Sequence, residues 1–352
     1  MQENNDAELD ENEAGFIDSE SDNEAELSES KADNEAKSAE DEAAEAALER
    51  ERRAAEKNSI IEKNALLFRR IKAALGAAGL FAGYFVFPEF FYLFFSRDTL
   101  QNSGTVKILA SVMGFFVYFA FVLRYYVKRS DKTGEALSDI VPLHPRELSA
   151  KPAAACVLLG MSLNLISSSL LALLPIPAEW LSGYSSSSQT LLQTDSLAVS
   201  ILYIALLAPL CEELMFRGLI FNRIRSGFSV TVSVIVTSVA FALPHINPLW
   251  IAVAVLNSLV FTMVRERSGN LCYTIILHSC YNLVSVPMIL LNGTEAYTFL
   301  FDNIAAEIIY LVGGGAAAYF CIRYLLRRSD ENGDITYQIY SGGGAAKGVD
   351  KQ

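Results

Sequence analysis

The segment APLCEELMFRGLIF, Ala208 to Phe221, sets two adjacent glutamates and an arginine in a run that is apolar for many residues upstream. An ionisable side chain in hydrocarbon costs about 2.5–3.5 kcal/mol on insertion scales, so Glu212, Glu213 and Arg217 are expected to face protein or water and to serve a purpose there. On a helix, Glu213 and Arg217 are i and i+4 with the carboxylate N-terminal, the favourable order for an ion pair. Glu212 lies about 100° around the helix from Glu213 and about 140° from Arg217. One carboxylate can thus be neutralised by the arginine while the other points elsewhere and takes its protonation state from what it meets. The plainer alternative is that Arg217 snorkels to the cytoplasmic face and the glutamates follow it. Just upstream, Pro209 removes a helical hydrogen bond and is expected to leave the carbonyl of Ala205 to water or protein.

The chain has three histidines. His144 sits in a polar loop. His245 ends an apolar run in FALPH, with Phe241 one helical turn before it, and His278 lies in HSCYN, with Asn282 four residues on and so on the same helical face. A single buried histidine is more often a satisfied core residue than a catalyst. Two histidines, an amide and a spare carboxylate on three membrane helices are instead the parts needed to activate a water and stabilise an oxyanion.

The pieces EELMFR (212–217), FALPH (241–245) and HSCYN (278–282) match the EExxxR, FxxxH and HxxxN motifs. In this the chain resembles the CPBP family of intramembrane proteases, which includes the CAAX prenyl endopeptidases and the Abi bacteriocin-immunity proteins. The resemblance covers about residues 196–291. It implies that Glu212 is the general base that activates water, assisted by His245, and that His278 and Asn282 form an oxyanion hole. Glu213 and Arg217 would be the supporting pair, with Phe241 beside them. A glutamate with two histidines also suits Zn²⁺, but the chain has no HExxH, the usual mark of zinc proteases, and the favoured reading has no metal and no other cofactor. The expected partners are the lipid bilayer and a membrane-associated protein or peptide substrate, with no nucleic acid. Prenylated CAAX proteins, a pheromone or bacteriocin leader, and a membrane regulator would all suit such a site.

These residues need membrane helices to position them. From about residue 73 the sequence turns to apolar runs, each near the roughly 20 residues that cross a bilayer. Eight are read: 73–95, 106–126, 153–175, 196–221, 228–246, 248–265, 270–291 and 304–326. The expected fold is therefore all-α, a multi-pass membrane domain over 61–328. Lys and Arg cluster before the first run and after the second, fourth, sixth and eighth, which predicts a cell-membrane protein with both termini cytoplasmic. By residue counting, Glu212 and His278 fall about 10–15 Å from the cytoplasmic face, whereas His245 counts as nearer the outer one. The three can meet if the fifth helix begins late, tilts, or turns back at Pro244 and Pro248. In the other runs, Asn257 suits interhelical hydrogen bonding and Gly313–Ala318 suits close helix packing. The five cysteines show no CxxC spacing and read as small buried residues.

Residues 1–57 hold 21 of the 40 Asp and Glu but only 6 of the 28 Lys and Arg, so the net charge of −12 describes a tail and carries no clue to partners. Residues 1–60 are expected to be an acidic, largely disordered cytoplasmic tail, with a solvated helix over 39–58. Residues 329–352 are expected to be a flexible end. Nothing at the start resembles a secretory signal. Two other functions fit the same composition: a catalytically idle scaffold or regulator of the same fold, and a proton-coupled transporter. The transporter should show inverted repeats or paired broken helices, and no internal repeat is found.

Overall fold

The computed structural model describes residues 7–133, 140–190 and 194–331, all of them helix, turn or irregular chain without a strand. Most of the expected C-terminal tail, from 332 on, and the first six residues lie outside the described residues. Two compact units divide the chain at residues 68 and 69. The first is the leading part of α1 (Ala7–Tyr92). Every described side chain from 31 to 68 is exposed, including Leu48 and the apolar residues Ile60, Ile61, Leu66, Leu67 and Phe68 that close this part of the helix. The helix foreseen over 39–58 is part of this longer one.

The second unit holds the rest of α1, then α2 (Arg97–Asn102), α3 (Gly104–Thr133), α4 (Ala150–Leu173) and α5 (Ala178–Thr190). There follow α6 (Leu197–Arg225), α7 (Val230–Ala242), α8 (Pro248–Ser268) and α9 (Leu271–Leu290). The short α10 (Glu295–Phe301) and the long α11 (Ile304–Glu331) complete it. Among the described residues seven helices are long and apolar enough to cross a membrane, and the eighth run, Val230–His245, is a shorter apolar helix. The protein is an all-α, multi-pass membrane protein. Leu256, Ile309, Val312 and Phe320 are exposed on its flanks, where lipid rather than water is their natural neighbour.

Two apolar clusters hold the bundle together. One joins Leu80 of α1, Phe115 of α3, Phe216 and Leu219 of α6, and Phe241 of α7. The other joins Cys156 and Leu159 of α4, Phe261 of α8, Leu277 of α9 and Cys321 of α11. The catalytic candidates lie on α6 and α9 and, for His245, just past the end of α7. Cys280 is partly buried and the other four cysteines are buried, all as free thiols.

Helix ends follow local chemistry. Ser229 caps α7 through the N–H of Val232, Asn247 caps α8 through the N–H groups of Leu249 and Trp250, and Asn270 caps α9 through that of Cys272. Gly269 ends α8 in the left-handed region. Outside the spans, Asp195 accepts from the Thr105 N–H and the Ser103 hydroxyl, both at 2.8 Å, and these bonds hold its carboxyl down to about 2. The tie between the starts of α3 and α6 is therefore fully present above the unfolded value near 3.9 and is lost as pH falls through about 2.

Close packing does depend on glycine, though its tightest point is elsewhere than the Gly313–Ala318 stretch. A Cβ at Gly314 would stand 3.3 Å from the Ser162 carbonyl oxygen of α4, a tight but not overlapping approach, while Gly313 and Gly315 face open space. At Gly160 of α4, a Cβ would overlap the carbonyl oxygen of Leu277, the residue before His278. Backbone, unlike a side-chain tip, cannot step aside cheaply. Gly160→Ala should therefore cost about 1–3 kcal/mol and lower the melting temperature in detergent. Gly315→Ala, which gains helix propensity without a clash, should not. Equal melting of Gly160→Ala and wild type would refute this contact between α4 and α9.

Candidate active site

Glu213 and Arg217 are both fully buried. Arg217 donates from Nη1 to Glu213 Oε1 at 2.7 Å, from Nη2 to Ser258 Oγ at 2.6 Å and from Nε to Thr262 Oγ1 at 3.4 Å. Its guanidinium lies 4.2 Å over the Phe241 ring and 5.5 Å from that of Phe261, so two aromatic rings stand against the cation. A buried charge persists only when it is paired and hydrogen-bonded, and this one is. The arginine is thus anchored inside the bundle and does not extend to the surface.

His278 donates from Nδ1 to the same Glu213 oxygen at 2.8 Å. That bond leaves Nε2 as the working nitrogen, and it stands 3.6 Å from Glu212 Oε2. The Glu212 side chain is 23% exposed where that of Glu213 is not exposed at all. Two adjacent carboxylates on one helix therefore occupy different environments. Glu213 is taken up by a cation and an imidazole, whereas Glu212 reaches open space with a histidine nitrogen beside it.

The local form of α6 contributes to this. It is α-helical over Leu197–Leu202, widens to a π-helix over Tyr203–Leu207, returns to α over Ala208–Glu212, and widens again over Glu213–Ile220. Such widenings are rare and recur at functional sites. They bear on one expectation. In the π register the N–H of Ala208 bonds to the carbonyl of Tyr203, so the next rung would run from Pro209 to Ile204. Pro209 has no N–H, so the Ile204 carbonyl, one residue before Ala205, must find another donor. Protein fills the gap: Asn282 donates from Nδ2 to Ile204 O at 2.9 Å.

His245 lies in a single 3-10 turn, Leu243–His245, that follows the 13-residue α7. That helix is about 20 Å long against a hydrocarbon core of about 30 Å, so it stops short of the far side. The chain then reverses through Ile246, at φ 61, before Asn247 starts α8. A β-branched residue at positive φ is strained, and here the strain sits beside a candidate catalytic side chain. His245 donates from Nδ1 to the carbonyl of Ala242 at 3.1 Å, which leaves its Nε2 an acceptor when neutral. Phe241 connects it to the rest, with ring centroids 5.5 Å from His245 and 5.7 Å from His278. Among the described residues no hydrogen bond or ion pair joins His245 to Glu212. The structure thus brings together Glu212, Glu213, Arg217 and His278 directly, His245 through Phe241, and Asn282 through the helix backbone.

Some neighbours were not read from sequence. Ser258 and Thr262, which hold Arg217, form with Asn257 and Arg265 a polar stripe along α8, and that spacing was a usable signal. Asn257 itself bridges helices, donating to Ser167 Oγ and Tyr281 Oη. Tyr84 of α1 packs its ring 5.4 Å from that of Phe216, and Trp250 lies 5.3 Å from His245. No motif marks these two. A cleft of 390 Å³ between α1 and α3, lined by Gly76, Tyr118, Tyr125 and Arg223, shares no residue with the cluster.

Fold and site together define a polytopic helical membrane protein with a buried Glu–Arg–His cluster and a second, accessible glutamate. Residues 194–284 match the family described as type II CAAX prenyl endopeptidase Rce1-like, so the resemblance read from the three motifs is shown over that segment, and the matched family is one of CAAX-type membrane proteases. Curated relatives agree in extent. An uncharacterized 24.3 kDa protein of Escherichia coli is 36% identical over 85 residues, 23% of this chain and 39% of that one. The UPF0177 protein YxdF of Lactococcus lactis is 34% identical over 92 residues, 26% of this chain and 50% of that one. An uncharacterized protein of Mycoplasma capricolum is 35% identical over 88 residues, 24% of this chain and 25% of that one. The chain thus spans between a quarter and half the length of these relatives. No solved structure matches it.

Proposed function

We propose that the protein is a membrane endopeptidase that hydrolyses a peptide bond in or near the bilayer by glutamate-activated water. The observation that carries this reading is the division of labour between the two glutamates: Glu213 is consumed by Arg217 and His278, while Glu212 remains accessible with His278 Nε2 at 3.6 Å. Glu212 takes a proton from water as the hydroxyl attacks the peptide carbonyl, and His245 assists through its Nε2. The tetrahedral oxyanion is met by His278 when Nε2 carries a proton. Collapse breaks the C–N bond, and the proton held by Glu212 passes to the departing amine.

The substrate in this reading is a membrane-associated protein or peptide, and the protein sits in the cell membrane with both termini cytoplasmic. Support for the peptidase class comes from the family matched over 194–284. The chemistry uses no metal. Membrane peptides compared between cells with and without the protein should show new C-termini only where it is present. EDTA and 1,10-phenanthroline should leave that cleavage unchanged in detergent extracts. Identical peptide sets would overturn the peptidase reading, and loss of cleavage restored by Zn²⁺ would overturn the metal-free mechanism.

A further inference from the structure

Asn282 makes a bond in this structure that its motif does not imply. Its Nδ2 donates to Ile204 O, the carbonyl left over because the π register of Tyr203–Leu207 calls for an N–H that Pro209 lacks. Glu212 follows Pro209 by three residues, and the second widened stretch starts at Glu213. Each change between π and α register rotates everything downstream on the helix, by about 100° for a residue inserted or removed. The register at Ile204 therefore sets the direction in which Glu212 leaves α6. On α9, Asn282 lies one turn beyond His278. One helix face thus presents the imidazole to the two glutamates and also fastens the break upstream of them.

We infer that Asn282 is a positioning residue, whose amide stands in for the backbone donor missing at Pro209 and so fixes the face on which Glu212 meets His278. The inference rests on the proposed peptidase function, and it replaces direct contact with the oxyanion by control of helix register. It also pairs two residues 73 positions apart in sequence that share no motif, Pro209 and Asn282. Because the two act on one carbonyl, their substitutions are not independent.

The test is a double-mutant cycle on the full-length protein in detergent, read as kcat, KM and melting temperature. Asn282→Ala should lower kcat by about 10²-fold, the scale of a misplacement near 1 Å, with KM little changed and the melting temperature lowered. Asn282→Asp, which cannot donate, should behave likewise. Adding Pro209→Ala supplies the missing donor: in the π register the new N–H reaches Ile204 O. The double variant Pro209→Ala/Asn282→Ala should then recover most of both kcat and melting temperature. Recovery of melting temperature with kcat still at the Asn282→Ala level would overturn the inference and return the amide to the oxyanion. Absence of coupling in both readouts would overturn the cap itself. A wild type that cleaves nothing would refute the proposed function and the catalytic part of this inference, while the melting cycle would still decide the cap.

Discussion

Glu212→Gln is expected to lower cleavage by about 10²–10⁴-fold, the range of general-base catalysis, while the melting temperature of the purified protein stays near wild type. The glutamine keeps the size of the side chain and its capacity to hydrogen-bond, but it cannot take a proton from water. The site around it tolerates the change. Glu212 is partly exposed and makes its recorded polar approach to His278 at 3.6 Å, beyond an ordinary hydrogen bond. Little native-state interaction is therefore lost with the charge. Near-normal cleavage by this variant would remove Glu212 as the base.

Glu213→Gln should do the opposite, losing stability first and activity as a consequence. The carboxylate is fully buried and accepts from both Arg217 and His278 through one oxygen. An amide there leaves the guanidinium without a counter-charge, and in one of its two orientations turns an NH₂ toward two donors. Removing one partner of a buried ion pair costs about 3–5 kcal/mol. Thermal melting in detergent should show a marked drop, together with lower abundance in the membrane. The alternative in which Arg217 extends to the cytoplasmic face predicts almost no change, and a wild-type melting curve would revive it.

The difference between the two glutamates was legible because it depends only on helical angles. Glu213 and Arg217 fall on one face at i and i+4, and Glu212 does not. What lies opposite each was not legible, since Ser258 and Thr262 come from α8 and His278 from α9, contacts that exist only after folding. The orphaned carbonyl shows the same limit at finer scale. Proline announces a missing donor, but which carbonyl loses it depends on register, and composition does not signal a π stretch. The depth of His245 was open among three geometries. The structure selects a helix that ends early and turns at Pro244 and Pro248, which also accounts for seven long spans and one short one. The glycine contact was anticipated in kind, but its tightest instance against backbone, Gly160, carries no repeat to mark it.

The central claim is that Glu212 and its histidine partners hydrolyse a peptide bond with water. Its most direct test is mass spectrometry of membrane-anchored peptides incubated with the reconstituted protein in H₂¹⁸O. The account predicts fragments whose new C-terminal carboxylate carries one heavy oxygen, formed by the wild type and all but absent with Glu212→Gln. Fragments without the label, or labelled fragments formed equally by Glu212→Gln, would contradict it.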